Sequence, residues 1–279
     1  MNSKDLPEVF VSAKTDSVNY WREVWRYREL LYILSWRDLK VRYKQTLIGA
    51  AWAIIRPLLT MLIFTFVFGR VAGLADDTQE PYPLLVLAGV LAWQLFSSGI
   101  SESAASLLGN ERLITKVYFP KILVPMSTLA TCLIDFLVAL SLLLCLLIYY
   151  GTLPSVYILF LPFWLLLTLA LSLSIGLGLS ALNIRFRDFR YALPFVLQVG
   201  LFLSPVGFSS RAVPEQYLWI YDLNPAVGII ESFRWCVSGI SFGAFPSYSL
   251  GVTLVWVVLS FWVGFRYFQK TERTFADII

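Results

Sequence analysis

Hydrophobic residues gather along this chain into long blocks separated by short charged segments, without the regular polar interruptions of a water-exposed helix or strand. The first block runs from about Leu47 to Phe68, with Arg56-Pro57 inside it. The others are Leu84 to Ile100, Ile122 to Tyr150, Val156 to Ile184, Tyr191 to Phe208 and Ser249 to Phe268. A run of roughly 18 or more apolar residues crosses a hydrocarbon layer of ~30 Å as a helix. The pattern therefore predicts an all-α integral membrane protein with six transmembrane helices. Pro57 suits the first turn of its helix, where the missing N–H is harmless, and Arg56 then marks the interface.

A seventh apolar stretch, Leu223 to Phe245, carries Asn224-Pro225, Gly228, Glu231, Arg234, Gly239 and Gly243. So many breakers and charges predict short re-entrant helices on the outer side, between spans five and six. Irregular backbone at that depth survives only where protein or a water-filled cavity covers it. Glu231 and Arg234, three apart, are spaced to pair. A straight seventh span is the alternative, and it sends the C-terminus to the other side.

Ahead of the first block the pattern changes. Met1 to Ser17 is polar. From there Tyr20, Val24, Tyr27, Leu31 and Leu34 fall on one helical face, with Arg22, Arg26 and Glu29 on another. Trp36, Leu39 and Tyr43 continue the pattern, opposed by Arg37, Lys40 and Lys44. A helix that is basic on one side and aromatic on the other lies in the membrane interface, and Trp21, Trp25 and Trp36 favour headgroup depth. A soluble amphipathic helix is the plainer reading. We divide the chain into residues 1–45, a tail with this interfacial helix, and residues 46–279, the six-span domain.

Composition agrees: 58% of residues are hydrophobic and 14% charged, about half the charge of an average soluble domain. No cleavable signal peptide is recognisable in the charged N-terminus. The chain has no histidine, which excludes Ser-His-Asp and Cys-His nucleophilic sites and His-ligated metals. Cys132, Cys145 and Cys236 form no disulfide framework and read as packing residues.

Lys and Arg set the orientation. The segment before the first block carries Lys4, Lys14, Arg22, Arg26, Arg28, Arg37, Lys40, Arg42 and Lys44. Arg112, Lys116 and Lys121 lie between blocks two and three, and Arg185, Arg187 and Arg190 between four and five. The tail adds Arg266, Lys270 and Arg273; the opposite connections offer Arg70, Arg211 and Arg234. With six spans the cation-rich segments share one side, so both termini are expected in the cytoplasm of a multi-pass inner-membrane protein.

A phosphate-cradling GxxxxGK[ST] loop is absent from the sequence, so the chain is not its own P-loop ATPase. Its acids form no shared pocket in sequence, and we expect no catalytic residue and no metal site. Asp135 lies mid-way along the third block, with Glu102 and Arg56 nearer the boundary. Such charges are costly in a bilayer and face protein or water; Asp135 either touches a transport path or bonds a neighbouring helix. The loop from Ser106 to Lys121 sets Leu113, Ile114 and Val117 beside Glu111, Arg112 and Lys116. That mix suits docking into a groove on a soluble partner, or forms an ordinary polar turn.

The segment Arg37 to Thr46 (RDLKVRYKQT), followed by Gly49, Trp52 and Pro57, resembles the opening of ABC-2-type export permeases, in the branch that handles O-antigen, teichoic acid and capsule polymers. Asn110 to Pro120 (NERLITKVYFP) resembles that branch's coupling helix. Ala181 to Asp188 (ALNIRFRD), Ser204-Pro205-Val206 and Leu223-Asn224-Pro225 resemble its later landmarks, in the expected order over roughly residues 30 to 275.

The resemblance implies a permease that exports lipid-linked polysaccharide, O-antigen first and teichoic acid or capsule as rivals. It implies a homodimer bound to two copies of a separate nucleotide-binding subunit, which holds ATP and Mg; this chain needs no cofactor. Asn110, Glu111, Arg112, Leu113, Ile114, Lys116, Tyr118 and Phe119 would contact that subunit, with Arg37, Asp38, Lys40 and Arg42 as a second contact. Asn224, Pro225, Glu231 and Arg234 fall in the external gate. Sugars stack on aromatic rings and bond through hydroxyls, so Phe64, Phe68, Trp93, Phe195, Gln198 and Phe202 are channel candidates as a set, although any one ring alone better suits lipid or core. Membrane lipid is the surrounding partner, and no nucleic acid is expected. Among other classes, a membrane-embedded sugar or acyl transferase would need clustered acids or a histidine at one face.

Overall fold

A computed structural model describes residues 17–44, 49–75, 81–152, 154–238, 246–272 and 275. Lys4, Lys14, Leu47, Arg273 and the end of the re-entrant stretch from Gly239 to Phe245 lie outside the described residues. Everything regular among the described residues is helical: α1 (Ser17–Arg26), α2 (Arg28–Lys44), α3 (Trp52–Phe64), α4 (Tyr82–Gly109), α5 (Glu111–Lys116), α6 (Leu123–Tyr149), α7 (Leu161–Arg185), α8 (Phe189–Phe202), α9 (Glu215–Tyr221), α10 (Pro225–Ser238) and α11 (Ser247–Glu272). Short 3-10 turns, Gly49–Ala51 and Val156–Phe160, lead into α3 and α7, and α3 runs on as a π-helical segment, Thr65–Val71.

Five of these helices, counting the lead-in and run-on turns, are long and apolar enough to cross a membrane. They fall on five of the expected blocks. The fifth block behaves differently. Its helix, α8, ends at Phe202 after 14 residues, roughly 21 Å at 1.5 Å per residue and short of a ~30 Å hydrocarbon layer. Residues 203–208, expected to complete the span, instead form turns. Ser204-Pro205 and Gly207 break the helix, because proline brings no N–H to the ladder and clashes with the turn before it.

A second difference concerns Pro57. It does not open its helix: α3 starts at Trp52, directly after the Gly49–Ala51 turn, and Pro57 sits inside it. The left-handed φ of Gly49, +53°, makes the turn that feeds α3 early, a conformation glycine adopts without steric cost.

At the centre lies α4, buried at most positions and flanked by α3, α6, α7, α8 and α10. Lipid tails are as apolar as leucine, so helices in a bilayer associate through close packing of small residues. A Cβ added to Gly176 of α7 would lie 2.4 Å from Ser103 Cβ on α4, and one on Gly264 of α11 would lie 2.3 Å from the Ser174 carbonyl oxygen of α7. Side chains at those two points would force the helices apart. By contrast, α8 has no buried side chain at all.

Two apolar cores result. The larger centres on α4, with Leu87, Leu91, Leu95, Phe136, Trp164 and Phe233. The smaller lies at the cation-rich end, called here the basic end, where Leu34, Leu107, Ile114, Ile122 and Phe268 meet. Tyr20, Val24 and Leu34, the expected membrane-facing stripe of the N-terminal helix, are buried in this second core. The aromatic side chains left exposed on α1 and α2 are Trp21, Trp25, Tyr32 and Trp36. The stripe is spent on the bundle, and a second apolar set, off that face, is what remains for headgroup depth.

Candidate functional site

At the basic end, α2 lies along α6 and makes polar contacts at two levels. Near its middle, Arg37 donates through Nη2 to Asn110 Oδ1 at 2.7 Å and to Asp38 Oδ1 at 2.7 Å. Ser127 Oγ on α6 donates to the second Asp38 oxygen at 3.2 Å. Near its C-terminus, Arg42 bridges Glu102 of α4 and Asp135 of α6, and the Tyr43 hydroxyl donates to Asp135. Burial alone would lower the Arg42 pKa, but the Glu102 and Asp135 carboxylates outweigh it and hold the guanidinium charged. Burial and the bond to Asp135 push the Tyr43 hydroxyl up, so it stays a donor.

The sequence marks Asp135 and Glu102 as charges in need of partners. It does not pair them with Arg42, which lies 93 and 60 residues away. The only signal available was the rule that an intramembrane acid finds a cation, and many cations competed for the role.

Beside the Arg37–Asn110 contact, α5 stands at the junction of α4 and α6. Asn110 bonds the Ser106 carbonyl at 2.9 Å. Glu111, Arg112, Lys116, Val117 and Tyr118 are exposed and Leu113 is half-buried. Ile114 and Phe119, expected among the contact residues, are each only 3% exposed. They point into the core shared with Leu107, Ile122 and Leu34 because a six-residue helix between two long ones must turn one face inward. The docking face is thus narrower than the sequence suggests. The same core ties down the C-terminal end: Glu272 accepts from the Lys121 backbone N–H at 2.7 Å and from Tyr20 Oη at 3.1 Å.

At the opposite end the chain solves a different problem. The turns after α8 carry bare carbonyls, and Arg234 of α10, 1% exposed, collects them. It donates to Val206 O at 3.1 Å, Phe208 O at 3.0 Å and Leu85 O at 3.1 Å, and pairs with Glu231 at 3.1 Å. Tyr82 Oη reaches Gly207 O at 2.5 Å, and Asn224 Nδ2 reaches Ser204 Oγ at 3.0 Å. Asn224 Oδ1 also accepts the Ala226 N–H at 3.0 Å, so Asn224-Pro225 caps and opens α10. The expected Glu231–Arg234 pair is present; the carbonyl ligands of Arg234 had no sequence signal.

The aromatic candidates do not share one surface in the single chain. Phe64 and Phe68 form an edge-to-face pair, centroids 5.3 Å apart, closing over Gly207 beside Phe208. Phe195, Gln198 and Phe202 lie exposed on α8. Trp93 is buried instead, 9% exposed, with Gly200 of α8 so close that an added Cβ would lie 2.7 Å from its ring. A lining role for Trp93 is therefore corrected to a packing role between α4 and α8.

Between α2, α3, α4 and α6 opens a cleft of about 310 Å³, lined by Arg42, Trp52, Arg56, Gln94, Ser98 and Asp135 among others. Among the described residues no cluster of His, Cys, Asp and Glu suits a metal.

The geometry is that of a helical membrane domain with a short exposed helix at one end and a stapled half-helix at the other. Residues 29–238 match the model of the family described as ABC-2 type transporter. The chain is 28% identical over 253 residues to the O-antigen export system permease protein RfbA of Klebsiella pneumoniae, covering 90% of this chain and 95% of that one. It is 30% identical over 215 residues to the protein of the same name from Myxococcus xanthus, covering 76% of this chain and 82% of that one. It is 28% identical over 250 residues to the polysialic acid transport protein KpsM of Escherichia coli, covering 85% of this chain and 91% of that one. The family match spans well over half of the sequence, and the chain belongs to the ABC-2 type transporter family.

Proposed function

We propose that this chain is the permease subunit of an ABC transporter that exports lipid-linked polysaccharide, O-antigen by first choice, across the cytoplasmic membrane. The observation that carries the reading is near full-length similarity to O-antigen export permeases on a helical membrane domain. Two copies of the chain assemble with two copies of a separate ATPase, and the polymer passes between the permease copies. Both termini, α1, α2 and α5 face the cytoplasm. Because Arg37 bonds Asn110 and Arg42 bonds Glu102 and Asp135, a push on the exposed side of α5 reaches α4 and α6 through α2. Arg112, Leu113, Lys116 and Tyr118 supply the docking face, with Lys40 beside it. The knot around Arg234, Glu231, Asn224 and Pro225 holds the outer gate, and Phe64, Phe68, Phe195, Gln198 and Phe202 line the path.

Export of a capsular polymer is the second reading, favoured by the similarity to the polysialic acid transport protein. Deleting the gene separates the two by which surface polymer disappears; loss of neither overturns both. The ATPase arm is tested by co-purification with a P-loop subunit, then by Leu113→Asp with Tyr118→Asp. Assembly or substrate-coupled ATP hydrolysis should be lost, and unchanged coupling moves the contact away from α5.

A further inference from the structure

We propose that the cleft between α2, α3, α4 and α6 is a binding site for a neutral sugar unit of the exported polymer, held against Trp52 and Tyr43 by Gln94, Ser98 and Arg56. The proposal rests on the polysaccharide reading above and names a site that reading leaves unassigned.

Four observations carry it. The first is size: about 310 Å³ lies at the small end of the roughly 300–1,000 Å³ spanned by small-molecule sites, enough for a compact polar group and too little for a folded chain segment. The second is placement. Gln94, Ser98 and Glu102 follow one another at four-residue steps along a single face of α4, so they form a continuous polar strip down one wall. Trp52 lines the same cleft from α3 and is 44% exposed. An aromatic ring and a ladder of amide and hydroxyl groups lining one cleft match a sugar, with C–H groups on one side and hydroxyls around its rim.

The third is charge. The cleft holds Arg42 and Arg56 against Glu102 and Asp135, a formal balance of zero. Arg42 is committed to both carboxylates. A phosphate or pyrophosphate headgroup entering here would meet those two carboxylates at short range with one cation, Arg56, left to face it, and like charges at that range repel. A neutral hydroxylated group meets donors and acceptors of both signs and pays no such penalty. The fourth is position: the Arg42 bridge that forms the wall of the cleft belongs to α2, the helix that bonds Asn110 beside α5. Occupation of the cleft is thereby linked to the segment we assign to the ATPase contact.

The test uses the full-length chain in lipid nanodiscs carrying Ser98→Cys, labelled with a small cationic thiosulfonate, with modification at position 98 read by mass spectrometry against the unsubstituted chain. Two probes compete with the label: the oligosaccharide released by mild acid from the host's own lipid-linked polymer, and inorganic pyrophosphate. The sugar should slow labelling by about tenfold at about ten times its Kd, since a single site's free fraction falls by that factor, and pyrophosphate should not. Protection should vanish in Trp52→Ala and in Gln94→Ala, two variants that remove cleft contacts from different helices. Protection by pyrophosphate alone, or by neither probe, overturns the proposal. In cells, full polymer display by both variants overturns it while leaving the export reading in place. Undiminished display after deletion of the gene removes the export reading itself.

Discussion

Arg42 and Arg234 stand at opposite ends of the same bundle, and each is the polar centre of its end. Arg234 is 1% exposed and gives its guanidinium mostly to main-chain carbonyls, with one carboxylate, Glu231, three residues away on its own helix. Arg42 has a side chain 32% exposed and bonds two carboxylates on two different helices, neither of them its own. The difference is one of purpose in physical terms. Carbonyls at the ends of broken helices have no other partner in a bilayer, so Arg234 is a fixture that cannot leave without stranding them. Glu102 and Asp135 are each about one-third exposed, so water can take the place of Arg42 on them and the bridge is not locked as the Arg234 knot is.

Removing the fixture should have the largest effect. Arg234→Ala strands the Val206 and Phe208 carbonyls and leaves Glu231 without its cation, and should cost about 3–5 kcal/mol, the range for breaking a buried charge network. Thermal unfolding followed by size-exclusion in detergent would register it; a loss below about 1 kcal/mol would mean that water already serves those carbonyls. Gly89→Val attacks the same knot sterically. An added Cβ would lie 2.4 Å from the Val206 carbonyl oxygen and 2.7 Å from Arg234 Nη2, and overpacking of this kind costs roughly 1–3 kcal/mol. Its Tm should fall less than that of Arg234→Ala.

At the basic end, Arg42→Ala should destabilise by about 1–2 kcal/mol, discounted from the buried-pair range because the side chains are about one-third exposed. Its effect on transport should exceed its effect on stability. The triple variant Arg42→Ala, Glu102→Gln, Asp135→Asn should regain much of the stability and little of the transport, whereas recovery of both would make the bridge merely structural. The smallest effect is expected for Arg37→Ala, within about 0.5 kcal/mol for an exposed pair. Substrate-coupled ATP hydrolysis should nonetheless fall, as the bond to Asn110 is lost. If coupling is unchanged while Arg42→Ala abolishes it, the signal enters through α2 below Arg37.

How much of this could be read from the sequence follows the same division. The apolar blocks at α4, α6, α7 and α11 needed only length and hydropathy. The buried face of Tyr20, Val24 and Leu34 needed only helical spacing, though not the knowledge that it would meet protein in place of lipid. The Glu231–Arg234 pair was visible because both residues lie on one turn of one helix. Arg42 with Glu102 and Asp135 was not, since the three charges come from three helices and pair only after α2 has folded back along α6. Ile114 and Phe119 were misplaced for the opposite reason: apolar residues in a short loop suit a partner's groove and the protein's own core equally well. Trp93 was misplaced because Gly200, the residue that covers it, lies on a helix the sequence could not set beside α4.

What the sequence settled alone is the solvent of each segment, since transfer into a bilayer depends on the residues present and their run length. It also marked which charges would need partners. The tertiary structure decided everything that depends on which helix meets which: the burial of α4 against the exposure of α8, two apolar helices of similar character, and the end of α8 at Phe202 with its loose carbonyls gathered by Arg234. Hydropathy is a sum over neighbours in the chain. Burial and pairing are set by neighbours in space, and in a bilayer, where apolar contact alone does not choose partners, small residues and buried charges make that choice.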